Sequence, residues 1–313
     1  MASAIQRYLL APRTPNTAAG FIDDNFAVVD LRRNRRGFSL VSSAVTQLTP
    51  GVVTPGFDSP NIQDEQEMAE IVLQTVEASG LSKKKRWSIA LPEGVVRTLI
   101  VTLESKPGSR QELTEVLAWK IERVIAVPAN ELRISRQRLS PLGGQERYLI
   151  AAARESVISQ YESLFFGIGW EAGLLLPRHL GEAQWLTWDR APGDKMLVSA
   201  NRGGFTALVV QKNEPALIRS YSCDLESRPD EIHRFALYYK DRLDQTEGSG
   251  ANLSSLLVLG DIEVAEAQQA IGDALDAHPH ALTASEFGFD LANEPIRFDH
   301  LAGAAGLATL AWQ

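Results

Sequence analysis

The residues best suited to bind an ion lie in a short basic segment near the start of the chain. Residues 30–37 read DLRRNRRG, so four arginines and one aspartate fall between two predicted strands. Guanidinium groups pair in a bidentate manner with phosphate and carboxylate oxygens, so this segment could contact a phosphate or a peptide carboxylate. Asn34 and Gly37 are also turn residues, and the simpler interpretation is a solvated hairpin turn.

No other pattern in the sequence is typical of a metal centre or of a nucleophilic enzyme. Cys223 is the one cysteine, so no disulfide framework or thiolate cluster forms within the chain, which fits a reducing compartment. The histidines show neither HExxH nor His–Cys spacing, and His278-Pro279-His280 is interpreted as an exposed loop pair. GxSxG and Walker A motifs are absent, and Gly203-Gly204 by itself is more typical of a hairpin turn.

Composition and charge indicate a globular protein rather than a binder of nucleic acid or lipid. The chain has 313 residues, of which 44% are hydrophobic and 22% are charged, and this length predicts about two domains. The net charge of -8 disfavours a general nucleic-acid binder and direct adsorption to anionic lipid. Uninterrupted apolar segments are too short to span a membrane, and residues 1–13 are too polar for a signal peptide. We therefore expect the protein to stay where it is made.

A helix–strand unit between Glu112 and Leu139 is the best-defined local structure in the sequence. Ser109 lies three residues before Glu112, which is the spacing of a capping box at a helix start. Pro128 is expected to end the helix, and a strand from Leu132 to Leu139 follows. Seven residues would form the apolar stripe of the helix, with the lysine contributing its methylene stem: Leu113, Val116, Leu117, Lys120, Ile121, Val124 and Ile125.

The order of predicted elements occurs twice along the chain. Phe26–Leu31 and Phe38–Leu48 are predicted strands joined by the basic turn. Lys195–Ala200 and Phe205–Gln211 are predicted strands joined by a turn at Asn201–Gly204. This repetition predicts two related lobes, with a boundary in the Pro-Gly segment near residue 192.

The region around the helix–strand unit resembles a known family. Eleven residues carry the likeness: Ala90, Leu91, Pro92, Glu112, Leu113, Trp119, Ile125, Pro128, Glu131, Gln137 and Leu139. In this pattern the chain is similar to the inserted subdomain of PilM proteins. These are actin-like cytoplasmic proteins of type IV pilus assembly, related to FtsA and to the cytoplasmic part of the type II secretion protein GspL. The resemblance implies an α/β fold of the actin-like (RNase H-like) type, with two lobes and an inserted α+β subdomain.

The resemblance also implies how the chain divides into domains. Residues 1–24 are expected to be loosely ordered, and the first lobe would comprise 25–94 and 141–192. The inserted subdomain would span 95–140. The second lobe would span 193–313, with its C-terminal helix returning to the first lobe.

Three loops hold the nucleotide in that superfamily, and this sequence departs from the pattern in each. The first two are hairpin turns that read roughly Asp-Ile-Gly-Ser and Asp-Ile-Gly-Ala, in which glycine lets backbone N–H groups approach phosphate. We interpret Asp30–Arg33 as the first turn, with arginines in place of the small residues. Ser199–Gly204 would be the second turn, which lacks the aspartate, and Leu259–Asp261 the third loop, which keeps one glycine.

These departures predict a degenerate nucleotide site. The residues implied to bind ATP or ADP, weakly and only if binding is retained, are Asp30, Arg32, Arg33, Gly203, Gly204 and Gly260. Loss of the second aspartate weakens metal coordination and water activation, so we expect no catalytic residue, no bound metal and no hydrolysis. The alternative that stays open is an active ATPase or a sugar-kinase-like enzyme of the same superfamily.

By resemblance, the expected function is that of a scaffold in a type IV pilus or type II-like secretion platform. It would be cytoplasmic and held at the inner membrane by a PilN-like single-span protein, without inserting into the membrane itself. The tail of that partner is expected to bind in a groove near Trp119, Arg133 and Arg136. An FtsA-like membrane adaptor is disfavoured because the last residues, LATLAWQ, have no basic face. Whether identical copies assemble stays open.

Overall fold

The computed structural model describes residues 14–35, 37–246, 252–291 and 296–312, without the side chains of 243–246. This part of the chain forms three β-sheets. Two sheets of five strands form the cores of two lobes, and a sheet of three strands forms a smaller subdomain.

The sheet of the first lobe combines an antiparallel hairpin with parallel strands. In spatial order its strands are β3 (Gly37–Gln47), β2 (Asn25–Asn34), β1 (Thr17–Ile22), β4 (Arg86–Leu91) and β8 (Glu171–Pro177). β1 pairs antiparallel with β2 and parallel with β4, which is itself parallel to β8. One face of this sheet packs on helices α1 (Glu65–Ala78) and α3 (Glu155–Gly167).

The sheet of the second lobe repeats this topology. Its spatial order is β11 (Glu214–Ser222), β10 (Gly204–Gln211), β9 (Asp194–Asn201), β12 (Leu253–Leu259) and β13 (His280–Ala281). β9 again pairs antiparallel with its hairpin partner and parallel with the strand that follows a helix. Helices α5 (Arg228–Thr246) and α6 (Val264–Leu275) are on one side of the sheet. The repeated element order predicted from the sequence therefore corresponds to two lobes whose sheets have the same strand order.

The subdomain is a three-stranded antiparallel sheet covered by one helix. Its spatial order is β5 (Arg97–Leu103), β7 (Gln145–Arg154) and β6 (Leu132–Leu142). Helix α2 (Arg110–Ile125) buries Leu117 and Ile121 against this sheet. The Ser109 hydroxyl accepts the Glu112 N–H at 3.0 Å, as the capping pattern predicts. The Glu112 carboxylate accepts the N–H of Gly108, so the second half of the predicted capping box is displaced by one residue.

Two segments differ from the sequence-based expectations. The prediction that residues 1–24 are loosely ordered is wrong for Thr17–Ile22, which form the central strand β1 and are fully buried. That strand reads TAAGFI, and its small residues carry little β-propensity, so it is formed by pairing and by helix packing. The subdomain was expected to end at residue 140, but its sheet includes β7 and extends to Arg154.

Helices α4 (Arg178–Trp188) and α7 (Phe298–Thr309) join the two lobes. α7 lies on β1, β2 and β4 of the first lobe, while α4 contacts α7 on one side and β9 and β10 of the second lobe on the other. The two helices approach very closely at glycines. A Cβ added to Gly306 would be 1.9 Å from the Gly181 carbonyl oxygen, and one added to Gly181 would be 2.2 Å from that of Gly303. The Trp185 indole N–H donates to the Ala302 carbonyl at 2.8 Å across the same contact.

We predict that Gly306→Ala destabilises the protein even though alanine favours helix. A methyl group 1.9 Å from the Gly181 oxygen must separate α4 from α7, at a cost of about 1–3 kcal/mol from overpacking. Urea denaturation followed by circular dichroism should show a lower midpoint. Gly167→Ala is the matched control, because no atom lies within 4 Å of its added Cβ, and it should be neutral or slightly stabilising. If both variants have the same urea midpoint, the close contact between Gly306 and Gly181 is contradicted.

Candidate functional site in the interlobe cleft and beside the inserted subdomain

The carboxyl ends of the parallel strands meet in a cleft between the lobes, with a volume of about 540 Å³. In open α/β sheets, ligands bind outside the carboxyl ends of the strands. From the first lobe, Asp23 follows β1 and Glu93 follows β4, while Arg178 begins the helix after β8. Arg202 and Gly203 follow β9 of the second lobe. Charged groups and hairpin backbone from both lobes therefore line the cleft, together with apolar side chains.

The two hairpin turns that face each other across the cleft are bound to one another. Asp23 and Asp24 form the β1–β2 turn, and Asp23 has a positive φ of 46°. The Arg202 guanidinium of the opposite turn lies 2.5 Å from the Asp24 carboxylate, and the Arg202 backbone N–H donates to Asp23 Oδ1 at 3.3 Å. The Gly203 N–H donates to Asn201 Oδ1 at 2.8 Å. Two turn N–H groups that could approach a phosphate thus have partners within the protein.

Glu93 connects the three parts of the molecule at the floor of the cleft. Its Oε1 accepts the His179 backbone N–H at 3.2 Å and lies 2.8 Å from His179 Nδ1. Its Oε2 accepts the Thr206 hydroxyl of the second lobe at 3.1 Å. His179 Nε2 is 2.9 Å from the Thr98 hydroxyl of the subdomain. Burial by itself would raise the pKa of Glu93, but His179 and Arg178 outweigh it and lower the pKa to about 2.

A buried ion pair on α4 extends this network into the second lobe. Arg178 Nε lies 3.0 Å from Glu182 Oε1, one helical turn further along α4. Arg178 Nη2 also donates to the Ser199 hydroxyl at 2.8 Å and to the Ala200 carbonyl at 2.7 Å. Burial raises the pKa of Glu182, while the adjacent guanidinium opposes that shift. Both charges are needed, because removing one partner of a buried pair leaves the other uncompensated.

The interpretation of Asp30–Arg33 as the first nucleotide turn is wrong. The hairpin equivalent to the β9–β10 turn is the β1–β2 turn at Asp23 and Asp24, and Asp30 lies about 20 Å further along β2 at ~3.3 Å per residue. Asp30 accepts from Asn16 at 2.6 Å and pairs with Lys84 at 3.3 Å. Sequence reasoning missed β1 and therefore shifted the turn by one hairpin.

The two arginines assigned to that turn are also away from the cleft. Arg32 is exposed near the end of β2. Arg33 lies over the Trp188 ring at 5.0 Å and donates to the Trp312 carbonyl at 3.4 Å. The β2–β3 hairpin predicted around this basic segment is present, but it does not meet the second lobe's turn.

The predicted glycines do lie around the second lobe's turn, but two of them are required by the backbone itself. Gly204 has φ of 144°, and a Cβ there would be 1.9 Å from the Tyr221 carbonyl oxygen. Gly260 has φ of 92°, and a Cβ there would be 2.0 Å from the Ala200 carbonyl oxygen. Close strand pairing accounts for both glycines without a ligand.

Arg228, which the sequence analysis did not select, bridges the second turn and the third loop. It is 1% exposed at the start of α5. Nη2 donates to the Asn201 carbonyl at 2.7 Å, and Nη1 donates to the Asp261 carbonyl. The guanidinium therefore fills the space between the β9–β10 turn and the loop after β12. Because Arg228 follows an irregular segment, no pattern in the sequence marked it as a site residue.

A second concave feature, the β6–β8 groove, lies between the subdomain and the first lobe and is closed on one side by the second lobe. Its volume is about 540 Å³, and its lining is mostly apolar or small: Ser135, Gln137, Leu149, Ala151, Leu174, Leu176, Leu180, Ala183, Gln184, Thr187, Val210, Asn213, Pro215 and Leu310. A smaller cavity of about 260 Å³ shares Ser135, Ala151 and Leu174 with it and continues it past Gly173 and Arg133. Strands β6 and β8 are each the last strand of their sheet.

The structure separates the three residues predicted to line a partner groove. Register pairs Arg133 with Ala153 and Arg136 with Ile150, so the two arginines lie on opposite faces of the subdomain sheet. Arg133 lines the extension of the groove and pairs with Glu155 and with Glu162 at 2.9 Å. Arg136 donates to Thr114 of α2 at 3.3 Å. Trp119 is 53% exposed on α2, two residues from the buried Leu117. The prediction that one groove contains all three residues is therefore wrong.

Within the described ranges, no group of three or more His, Cys, Asp or Glu side chains has the geometry to hold a metal ion. None of the helices in that part of the chain is both long enough and apolar enough to cross a bilayer.

Comparison with solved structures defines the fold. A structure described as the PilM-PilN type IV pilus biogenesis complex is similar with a TM-score of 0.71 and 14% identity, covering 96% of this chain and 100% of that one. A Bacteroides thetaiotaomicron protein described as having an actin-like ATPase fold and unknown function is similar with a TM-score of 0.52 and 10% identity, covering 93% and 95%. No protein-family model and no curated protein matches the chain.

The chain therefore has the actin-like ATPase fold, in the form also found in the PilM–PilN structure. This confirms the predicted two-lobed α/β fold class. Two of the site residues that sequence reasoning missed, Asp23 and Glu93, did have a signal in the sequence. Asp23 directly follows a short buried strand and Glu93 follows another after one proline, and such positions meet at the carboxyl edge of a parallel sheet.

We predict that Glu93→Gln lowers stability in a pH-dependent manner. The folded pKa of about 2 lies below the ordinary 4.5, so this carboxylate contributes stability above pH 4.5 that is lost as the pH falls towards 2. The shift corresponds to about 3 kcal/mol at pH 7. Urea denaturation from pH 7 to pH 3 should show that the difference in free energy of unfolding between wild type and variant narrows below pH 4.5.

Glu104→Gln is the matched control for this experiment, because Glu104 is 89% exposed. It should unfold like wild type throughout the range. If the difference in free energy of unfolding between wild type and Glu93→Gln stays constant from pH 7 to pH 3, the carboxylate pKa is not depressed.

Proposed function

We propose that this protein is a scaffold that binds an extended segment of a membrane-anchored partner in the β6–β8 groove. It would act in the cytoplasm, as part of a type IV pilus or type II-like secretion platform. The observation that carries the proposal is an apolar groove flanked by two sheet-edge strands. Edge strands offer backbone N–H and C=O groups to an added strand, and alternating pockets beside them select its side chains.

The lining of the groove supports an extended peptide rather than a small polar substrate. Leu174 and Leu176 alternate along β8 and are only half-buried, and Ala151 on the opposite wall is half-buried as well. Small and aliphatic side chains on both walls leave room for the side chains of an added strand. The cavity that continues past Gly173 lengthens this surface along the edge of β8.

The choice of partner rests on similarity of fold. The solved structure described as a PilM-PilN complex covers nearly the whole of this chain, which supports a PilN-like single-span protein as the partner. The net charge of -8 also suits a basic tail close to a membrane, because complementary charge speeds association.

We predict that Leu174→Glu and Ala151→Glu each weaken partner binding at least tenfold. Each change adds an unpaired carboxylate to an apolar wall, which costs more than about 1.4 kcal/mol when a peptide covers it. Isothermal titration calorimetry would use the N-terminal peptide of a PilN-like single-span membrane protein from the same organism. Leu73→Glu is the matched control, since Leu73 is 45% exposed on α1 and outside the groove. Wild-type affinity in both groove variants would show that the partner does not bind in the groove.

We also propose that the interlobe cleft no longer hydrolyses ATP. Asp23 and Asp24 present two carboxylates where the family's first turn has glycine, and like charges repel phosphate. Arg202 is bound to Asp24, and Arg228 fills the space beside the third loop. Arg202 therefore joins the turns of the two lobes, and Arg228 joins two loops of the second lobe, instead of facing a ligand.

We predict that a fluorescent ATP analogue binds more weakly than about 100 µM, with or without Mg²⁺. Micromolar affinity needs roughly 8 kcal/mol, and turn N–H groups with protein partners contribute little of it. The measurement is a fluorescence titration in both conditions. Metal-dependent micromolar binding that is abolished by Asp24→Ala, but not by Asp30→Ala at the far end of β2, would show an intact nucleotide site.

A further inference from the structure

A third cavity, the arginine pocket, lies on the other side of the subdomain, against the second lobe. Its volume is about 450 Å³, and its walls come from β5, β7, β11, α5 and the last turn of α2. The full lining is Leu99, Ile100, Thr102, Val124, Leu142, Arg147, Gln211, Ala216, Leu217, Ile218, Arg219, Tyr238, Tyr239 and Arg242. Pockets of about 300–1,000 Å³ are the usual size for small-molecule sites.

The charge of this pocket is opposite to that of the whole chain. Arg147, Arg219 and Arg242 reach it from β7, β11 and α5, and none of the described residues that line it is acidic. The chain as a whole carries a net charge of -8. The Arg219 guanidinium stacks 3.8 Å from the centre of the Tyr238 ring, which holds it in one orientation. Three arginine side chains therefore line one concave surface.

Arg147 is the buried member of this set. It is 9% exposed, and its Nη2 donates to the Pro215 and Ala216 carbonyls at 3.3 Å each. Burial lowers the pKa of Arg147, and Arg242 lowers it further, while Glu214 opposes the shift. The Glu214 carboxylate is itself engaged by the Ser140 N–H at 2.7 Å. A bound anion would stabilise this buried positive charge.

We propose that the arginine pocket binds a small organic phosphate, separately from the interlobe cleft. The terminal oxygens of a phosphate monoester accept from several guanidinium groups at once, which suits three arginines better than a single carboxylate does. The apolar part of the lining, with Leu99, Ile100 and Leu217, would cover the organic body of the ligand. Phosphate would lie towards Arg147, and the body towards the pocket mouth.

The test uses phenyl phosphate as the probe in isothermal titration calorimetry on the full chain. Wild type should bind it, and Arg219→Gln should weaken binding at least tenfold, about what one charge-assisted hydrogen-bonded contact contributes. Arg219 is exposed, so this change should leave the fold intact. Arg147→Gln should weaken binding by at least as much, with folding checked by its thermal unfolding curve.

Arg202→Gln is the matched control, because Arg202 belongs to the interlobe cleft and not to this pocket. It should bind phenyl phosphate like wild type. A loss of affinity in Arg202→Gln equal to that in Arg219→Gln would assign the binding to the cleft and overturn the proposal. Wild-type affinity in both Arg147→Gln and Arg219→Gln would overturn it as well, as would an absence of binding to wild type.

Two further probes test the chemical class of ligand. Inorganic phosphate should bind at least tenfold more weakly than phenyl phosphate, because it leaves the apolar walls uncovered. Benzoate should also bind more weakly, because its carboxylate offers fewer acceptors to the three arginines. If either probe binds as tightly as phenyl phosphate, the assignment to organic phosphates is wrong.

Discussion

The close contact between α4 and α7 is the constraint on which the two-lobed structure depends. Gly181 meets Gly303 and Gly306 so closely that no side chain fits between the two helix backbones. α7 is thereby held on the first lobe's sheet, while α4 extends from that contact to the second lobe. The buried cluster around these helices includes residues of both lobes and of the subdomain, such as Val29, Leu197 and Leu149. Small residues therefore set the distance between the lobes.

Electrostatics at the cleft follow from the same arrangement. Because α4 starts at the carboxyl end of β8, Arg178 and His179 reach the floor of the cleft, where Glu93 and Thr206 also lie. The β1–β2 and β9–β10 turns are bound to each other through Asp24 and Arg202, and Arg228 joins the β9–β10 turn to the loop after β12. The Asp24–Arg202 pair and the Glu93–Thr206 hydrogen bond therefore connect the two lobes directly across the cleft.

The subdomain has a concave surface on each side, and the two surfaces differ in chemistry. Its edge strand β6 borders an apolar groove against the first lobe, while β5 borders a basic pocket against the second lobe. Pro215 belongs to the groove lining, and its carbonyl accepts from Arg147 in the basic pocket. Only a short stretch of β11 separates the two surfaces, since Pro215 lines the groove and Ala216 lines the pocket.

Local patterns in the sequence determined the elements whose stability is local. The apolar spacing and Ser109 cap predicted α2, and alternation predicted β6, because helix periodicity and capping need only neighbouring residues. Tertiary structure alone decided that Thr17–Ile22 is the central strand, since its small residues gain stability only from pairing and from packing under α7. It also decided which turn faces the cleft and that Arg133 and Arg136 point to opposite faces, because strand register is a contact between distant segments.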